Sequence, residues 1–235
     1  MVNGDYKKEL SPEELFLTNP DACYEKAETD LLKSALTKSY TERFLMATKL
    51  FKIGMMMKNA KVTHQPFIPK RELMDIFDEE IVRFWKALAA NDVKYMMVGG
   101  YAVNLHGHQR YTGDLDIWIE DTKENRVKLR KTFNDCDMGD YFMLETMQII
   151  PGWTNFHLNN GLRLDLLINM KGLEGYSFEE CFNMATIGEI ESTKVYFIHI
   201  NQLVANKKAV NRPKDQLDVV QLEKIIQLRK EMGLD

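Results

Sequence analysis

The chain has 235 residues, 45% of them apolar and 28% charged, a balance that excludes wholesale disorder and suits one ordinary domain with an appendage or two small domains. Lys and Arg number 31 against 35 Asp and Glu, a net charge of −4, which argues against a dedicated nucleic-acid coat but leaves room for a local basic patch. Cys23, Cys136 and Cys181 stand far apart with no C-x-x-C pair, which excludes a disulfide scaffold or zinc finger and reads as reduced thiols of a cytoplasmic protein.

The N-terminus is polar, and nowhere does the chain hold the run of about 18 apolar residues that a membrane-spanning helix needs. Ser11-Pro12-Glu13-Glu14 reads as a helix start, with a capping hydroxyl, proline at the first helical position and acids in the first turn. Apolar residues at helical spacing, Phe44, Ala47, Leu50, Phe51 and Met55, predict a helix over 40–58. Its run Met55-Met56-Met57 is read as core packing, with a partner-binding surface as the alternative. His64-Gln65-Pro66-Phe67-Ile68-Pro69 breaks the helical pattern, because each proline forces extended geometry on its predecessor. The expected organisation is therefore a helical N-terminal region over 1–65 and a second unit over 66–235, with its core at 93–200 and C-terminal helices at 201–235.

An amphipathic helix is predicted over 71–91, burying Ile81, Phe84, Trp85 and Leu88. The pattern then switches to a short apolar strand over 94–98 that ends on Gly99-Gly100, followed by a short helix over 101–106 closed by Gly107. Asp114-Leu115-Asp116-Ile117-Trp118-Ile119 reads as a second strand. A basic helix over 122–133 carries Lys123, Arg126, Lys128, Arg130 and Lys131, read as a solvated face or, alternatively, as a contact for RNA. Asn159-Asn160-Gly161 predicts a hairpin between strands over 153–158 and 162–168, and a second hairpin joins 186–190 to 195–200. Asn201 is a candidate cap for the next helix. Pro213 opens a last helix with Leu217, Val220, Ile225 and Leu228 as its apolar positions.

Strand alternation puts Asp114 and Asp116 on one face of their strand, and Asp165 is the odd polar residue in the apolar run Leu162-Arg163-Leu164-Asp165-Leu166-Leu167. An unpaired buried carboxylate is costly and three together repel, so such a set calls for a cation. Hard oxygen ligands suit Mg²⁺ (or Mn²⁺), which takes further ligands from substrate phosphates. Gly99-Gly100 lets backbone approach a ligand, and the following helix offers unpaired N–H groups to a phosphate. The segment has neither the Gly-Lys-Ser/Thr of a Walker loop nor a G-x-G-x-x-G fingerprint. His106-Gly107-His108 matches no closed zinc site with Cys136 or Cys181; the cysteines are read as passive, and His106 as a candidate lining of the nucleotide pocket.

Together Gly99-Gly100, Asp114-Leu115-Asp116 and Asp165 resemble the polymerase beta-type nucleotidyltransferase superfamily. Arg110-Tyr111-Thr112-Gly113-Asp114-Leu115-Asp116 is similar to a stretch seen in small bacterial members, toxin-type enzymes of toxin-antitoxin systems among them. Lys207-Lys208 and Arg212-Pro213-Lys214-Asp215-Gln216-Leu217-Asp218 are similar to further elements of that subgroup. The likeness covers 93–222. It implies an α/β (α+β) core with a mixed sheet flanked by helices, and two Mg²⁺ ions on Asp114, Asp116 and Asp165. It also implies transfer of a nucleoside monophosphate from a nucleoside triphosphate to a hydroxyl of RNA such as tRNA, of protein or of a small molecule. Asp165 would then sit nearest the attacking hydroxyl. Gly99, Gly100, Arg110, Thr112 and one of Lys207 or Lys208 would bind the nucleotide. Two features depart from the pattern: a long gap between Asp116 and Asp165, and Tyr101 where a small residue is usual, which would narrow the phosphate pocket. Tyr101 and an N-terminal region outside the likeness motivate the alternative, a catalytically inactive member binding nucleotide or a partner. An antitoxin, or a second copy docking through 1–65, is the expected protein partner.

Overall fold

The computed structural model of the chain describes residues 20–59, 76–150 and 153–234. The Ser11-Pro12 helix start, the proline break over 64–69, the boundary at 65/66 and the first residues of the helix expected from 71 lie outside the described residues.

Eight α-helices and six strands are described: α1 (Pro20–Leu36), α2 (Tyr40–Asn59), α3 (Ile76–Ala90), β1 (Tyr95–Met97), α4 (Gly99–His106), β2 (Asp114–Ile119), α5 (Lys123–Asp135), β3 (Asn155–His157), β4 (Arg163–Leu167), α6 (Phe178–Asn183), β5 (Thr186–Ile190), β6 (Thr193–Phe197), α7 (Ile200–Val210) and α8 (Pro213–Met232). The strands form one mixed sheet in the order β3-β4-β2-β1-β6-β5, an α/β fold with a helical N-terminal region. β1 runs antiparallel to β2 and parallel to β6, while β2 and β4 are parallel. At one end of the sheet, therefore, β1 and β6 leave while β2 and β4 enter. The loop before β2 and the segments that follow β1 and β6, with Gly99, Gly100, Arg110, Thr112 and Lys207, lie at that end.

Both expected hairpins are present, β3-β4 and β5-β6, each antiparallel. The second turns through Glu191 and Ser192, both at positive φ, the twist that matches a tight two-residue connection. α5 is capped by Thr122, whose side chain accepts from the Asn125 N–H. For α7 the cap is His199 rather than Asn201: the His199 side chain accepts the Asn201 N–H, because the helix starts two residues earlier, at Ile200.

One hydrophobic core holds the elements together. Phe44, Ala47 and Phe51 of α2 join Ile81, Phe84, Trp85 and Leu88 of α3 and the strand residues Met96, Met97, Leu115, Ile117 and Leu164 in it. Burying side chains of this size stabilises by roughly 1.5–3 kcal/mol each relative to exposure. The buried face of α2 ends at Phe51 and Gly54; Met55, Met56 and Met57 beyond it are exposed. The core-packing reading of those methionines is thus not met.

In α8 the expected apolar positions Leu217 and Val220 are exposed, whereas Asp215 and Asp218 are fully buried together with Leu222, Ile225 and Leu228. The helix turns its charged stripe inward over its first two turns because cations wait there, as described below. No helix among the described residues is long and apolar enough to cross a membrane.

Candidate active site

Asp114 and Asp116 sit on β2 and Asp165 on β4, and the parallel register sets Asp116 directly opposite Asp165. Period-two alternation sends all three side chains to the same face of the sheet. One carboxylate oxygen from each lies within 4.8 Å of the others. Against these three negative charges the cluster holds one paired cation, Arg163, on Asp165. Burial first, and then the charges of Asp114 and Asp165, push the Asp116 carboxyl up to about 7, with partial relief from Lys207 and Lys214.

The glycine pair stands over this cluster. Val98, in extended conformation, donates its N–H to the Asp116 carbonyl at 3.0 Å, and the chain then turns into α4. Gly99 has φ +62°, and a Cβ there would lie 1.9 Å from Asp116 Oδ2; at Gly100 it would lie 2.1 Å from Thr112 Oγ1. Any larger residue would displace the carboxylate or the hydroxyl, which is the physical reason for two glycines here. The sequence reading placed them in a turn ahead of the helix; they are its first two residues.

A cleft of about 400 Å³ opens at this end of the sheet, lined by the glycines, Thr112, the three aspartates and six cations: Arg110, Arg163, Lys171, Lys207, Arg212 and Lys214. Thr112 Oγ1 donates to Asp114 Oδ1 at 3.2 Å. The loop before β2 is tied to α4 by Asn104, fully buried, whose side chain bonds the carbonyls of Gly100 and Arg110 and the N–H of Arg110, each at 2.9 Å. On its outer side Tyr111 stacks on Phe51 of α2, at 6.2 Å between centroids, and packs against Gly54. The N-terminal helices thereby touch the loop that carries Arg110 and Thr112.

Two of the cations expected to face phosphates are spent internally. Arg110 makes a two-pronged pair with Asp218, Nε to Oδ1 at 2.5 Å and Nη2 to Oδ2 at 2.7 Å. Lys207 Nζ sits 3.0 Å from both Asp215 and Asp218, and Arg212 Nε pairs with Asp215 at 2.6 Å. Burial alone would raise these two carboxyls, but the hydrogen bonds of Arg212 and Lys207 to Asp215, and of Arg110 with the Lys207 charge to Asp218, hold both below the usual carboxylate range. Of the two adjacent lysines, Lys207 lines the cleft; Lys208 does not, and pairs with Glu223 at 2.7 Å. Lys171 and Lys214 make no ion pair among the described residues.

Three further expectations change. Tyr101 is fully buried in the core and leaves the cleft un-narrowed. His106 is buried as well, bonded to the Ile198 carbonyl at 2.8 Å and packed on Phe197, and burial lowers it to about 3, so it lines no nucleotide pocket. On α5 most of the basic face is answered by acids: Arg126 by Asp121, Lys128 by Asp92 and Glu124, Arg130 by Asp140 and Glu145. The cysteines are free. Burial raises Cys136 to about 11 and raises Cys181, which makes both poor thiolates.

Sequence reasoning missed Asn104, Arg163 and Lys171 as parts of the site, and placed Arg212, Lys214, Asp215 and Asp218 in a motif without giving them a role. Asn104 left one signal, a polar residue in a helix otherwise apolar; Lys171 left none.

No protein-family profile matches the chain, nor does any curated protein. Among solved structures, the chain is similar to the lincosamide antibiotic adenylyltransferase LnuA bound to lincomycin, at 18% identity and TM-score 0.43 over 63% of this chain and 97% of that one. It is similar to the antibiotic-resistance factor ANT(2'')-Ia at 16% identity and TM-score 0.44, over 68% and 93% of the two chains.

Proposed function

We propose that the protein is a metal-dependent nucleotidyltransferase, moving a nucleoside monophosphate from a nucleoside triphosphate to an acceptor hydroxyl. The observation that carries this reading is the register of Asp116 on Asp165 beneath a glycine pair that has no room for a Cβ. The residues fit a hard divalent cation such as Mg²⁺ or Mn²⁺: they are all carboxylates, close together, and burial and then their mutual repulsion raise Asp116. When bound, the cation supplies charge stabilisation of the attacking and leaving oxygens of an in-line displacement.

The chain's own residues do the rest. Gly99 and Gly100 bring the first N–H groups of α4 to the cleft, where they can donate to phosphate oxygens. Lys171 and Lys214 are positioned to pair with the triphosphate charge. Arg110 and Lys207 serve a step further back, fixing α7, α8 and the loop before β2 in one ion network. The acceptor O–H attacks the α-phosphorus, its proton passes to Asp165, the bond to the bridging oxygen breaks, and pyrophosphate leaves.

The acceptor is an RNA such as tRNA, a protein or a small molecule. The cytoplasm is the proposed location, and the toxin-type subgroup remains the one that the Arg110 to Asp116 and Arg212 to Asp218 segments resemble, with an antitoxin or a second copy as partner. The inactive-module alternative rested on Tyr101, which lies in the core, and on the unfamiliar N-terminal region, which leaves it as the second reading.

Incubation with each labelled nucleoside triphosphate, cell extract and Mg²⁺ or Mn²⁺ tests the reading. Label is expected on an acceptor, and Asp116→Asn is expected to lower transfer by about 100-fold or more. No transfer by the wild type with any triphosphate and either metal would overturn it.

A further inference from the structure

The face that bears the three aspartates bears a fourth charged residue. In the β2-β4 register Arg163 lies opposite Asp114, as Asp165 lies opposite Asp116, so alternation brings Arg163 to the same side of the sheet. Arg163 Nε donates to Asp165 Oδ1 at 2.7 Å. Asp165 is its one ion-pair partner among the described residues, and the Arg163 side chain is 41% exposed while that of Asp165 is 9% exposed. A fixed, nearly buried anion is thus answered by a cation that faces solvent and has room to leave. Lys207 is the contrast: its side chain is 3% exposed and wedged between two acids.

Resting on the metal-dependent reading above, we propose that Arg163 is an ionic latch on the third carboxylate. Without a divalent ion Arg163 neutralises Asp165 and keeps it from being stranded as an unpaired buried charge, which would be costly. A divalent ion that uses all three aspartates must draw Asp165 away from the guanidinium, so the latch and the ion compete for one carboxylate. Arg163 released in this way remains in the cleft, where its planar fork can pair with phosphate oxygens. Nucleotide therefore favours release, and the ion and the nucleotide bind cooperatively by way of this one side chain.

The test is Mn²⁺ binding to the full chain, read from the loss of the free-ion electron paramagnetic resonance signal, with and without a non-hydrolysable nucleoside triphosphate. Arg163→Gln is expected to bind Mn²⁺ roughly two- to fivefold more tightly than wild type without nucleotide, the range of a partly exposed ion pair. It is also expected to lose most of the nucleotide-induced gain. Arg163→Lys, which keeps the charge, is expected to stay near wild type and serves if the glutamine variant does not fold. Mn²⁺ affinity in Arg163→Gln equal to or weaker than wild type overturns the latch, as does a marked tightening in Arg163→Lys. A wild type that binds no Mn²⁺ overturns the metal reading of the cleft itself, a result distinct from failure of the latch alone.

Discussion

Two charged clusters meet at this cleft and treat the same residue type in opposite ways. Asp116 shares its surroundings with two other carboxylates and is pushed up to about 7, whereas Asp215 and Asp218, fully buried, are held low by Arg110, Lys207 and Arg212. Burial opposes ionisation in both places, so burial does not decide the outcome. The number of cations within hydrogen-bond reach does. A cluster with its charges matched is a fastening for α7, α8 and the loop before β2; a cluster with charges unmatched is poised to receive a cation.

The largest test of this contrast is Lys207→Met. It leaves two fully buried aspartates short of a partner, and the expected loss of stability is about 3–5 kcal/mol, read from urea unfolding. A change below about 1 kcal/mol would show that the pairing is not what holds the helices.

A smaller effect of opposite sign is expected at Asp116→Asn. Removing one of three repelling charges should stabilise the metal-free protein by roughly 1–2 kcal/mol at pH 8 and not at pH 4. The sign follows from the raised folded-state value. Protonated Asp116 stabilises fully below the unfolded carboxyl range, and this contribution is lost as pH rises through about 7. The Asp215 and Asp218 contribution runs the other way, present above the unfolded range and lost as the solution is made acid. Unfolding curves from pH 2 to pH 8 in chelator, for wild type and Asp116→Asn, separate the two slopes.

The smallest expected effect is at Lys208→Ala. Its pair with Glu223 is exposed on both sides, so stability should change by less than about 0.5 kcal/mol and transfer should be unchanged in the labelling assay. A clear loss of either would erase the distinction between the two neighbouring lysines.

The strand-glycine-helix unit, β2 with its two acids, and both hairpins were legible in the sequence, because alternation, glycine pairs and turn residues act over a few positions. So was Asp165, since a carboxylate in the midst of leucines has no local explanation. The face of α8 was not legible. Its apolar residues pointed to Leu217 and Val220, yet the structure buries Asp215 and Asp218, because Arg110 and Lys207 come from elsewhere in the chain and offer ion pairs that no periodicity encodes. For the same reason Arg110 and Lys207 looked like phosphate ligands when each already has carboxylate partners, and Tyr101 and His106 looked like cleft residues when both belong to the core. By itself, then, the sequence determined which elements form and which residues carry charge, both of them local properties. Only the tertiary structure decided which charges meet, since pairing depends on distances between segments far apart along the chain.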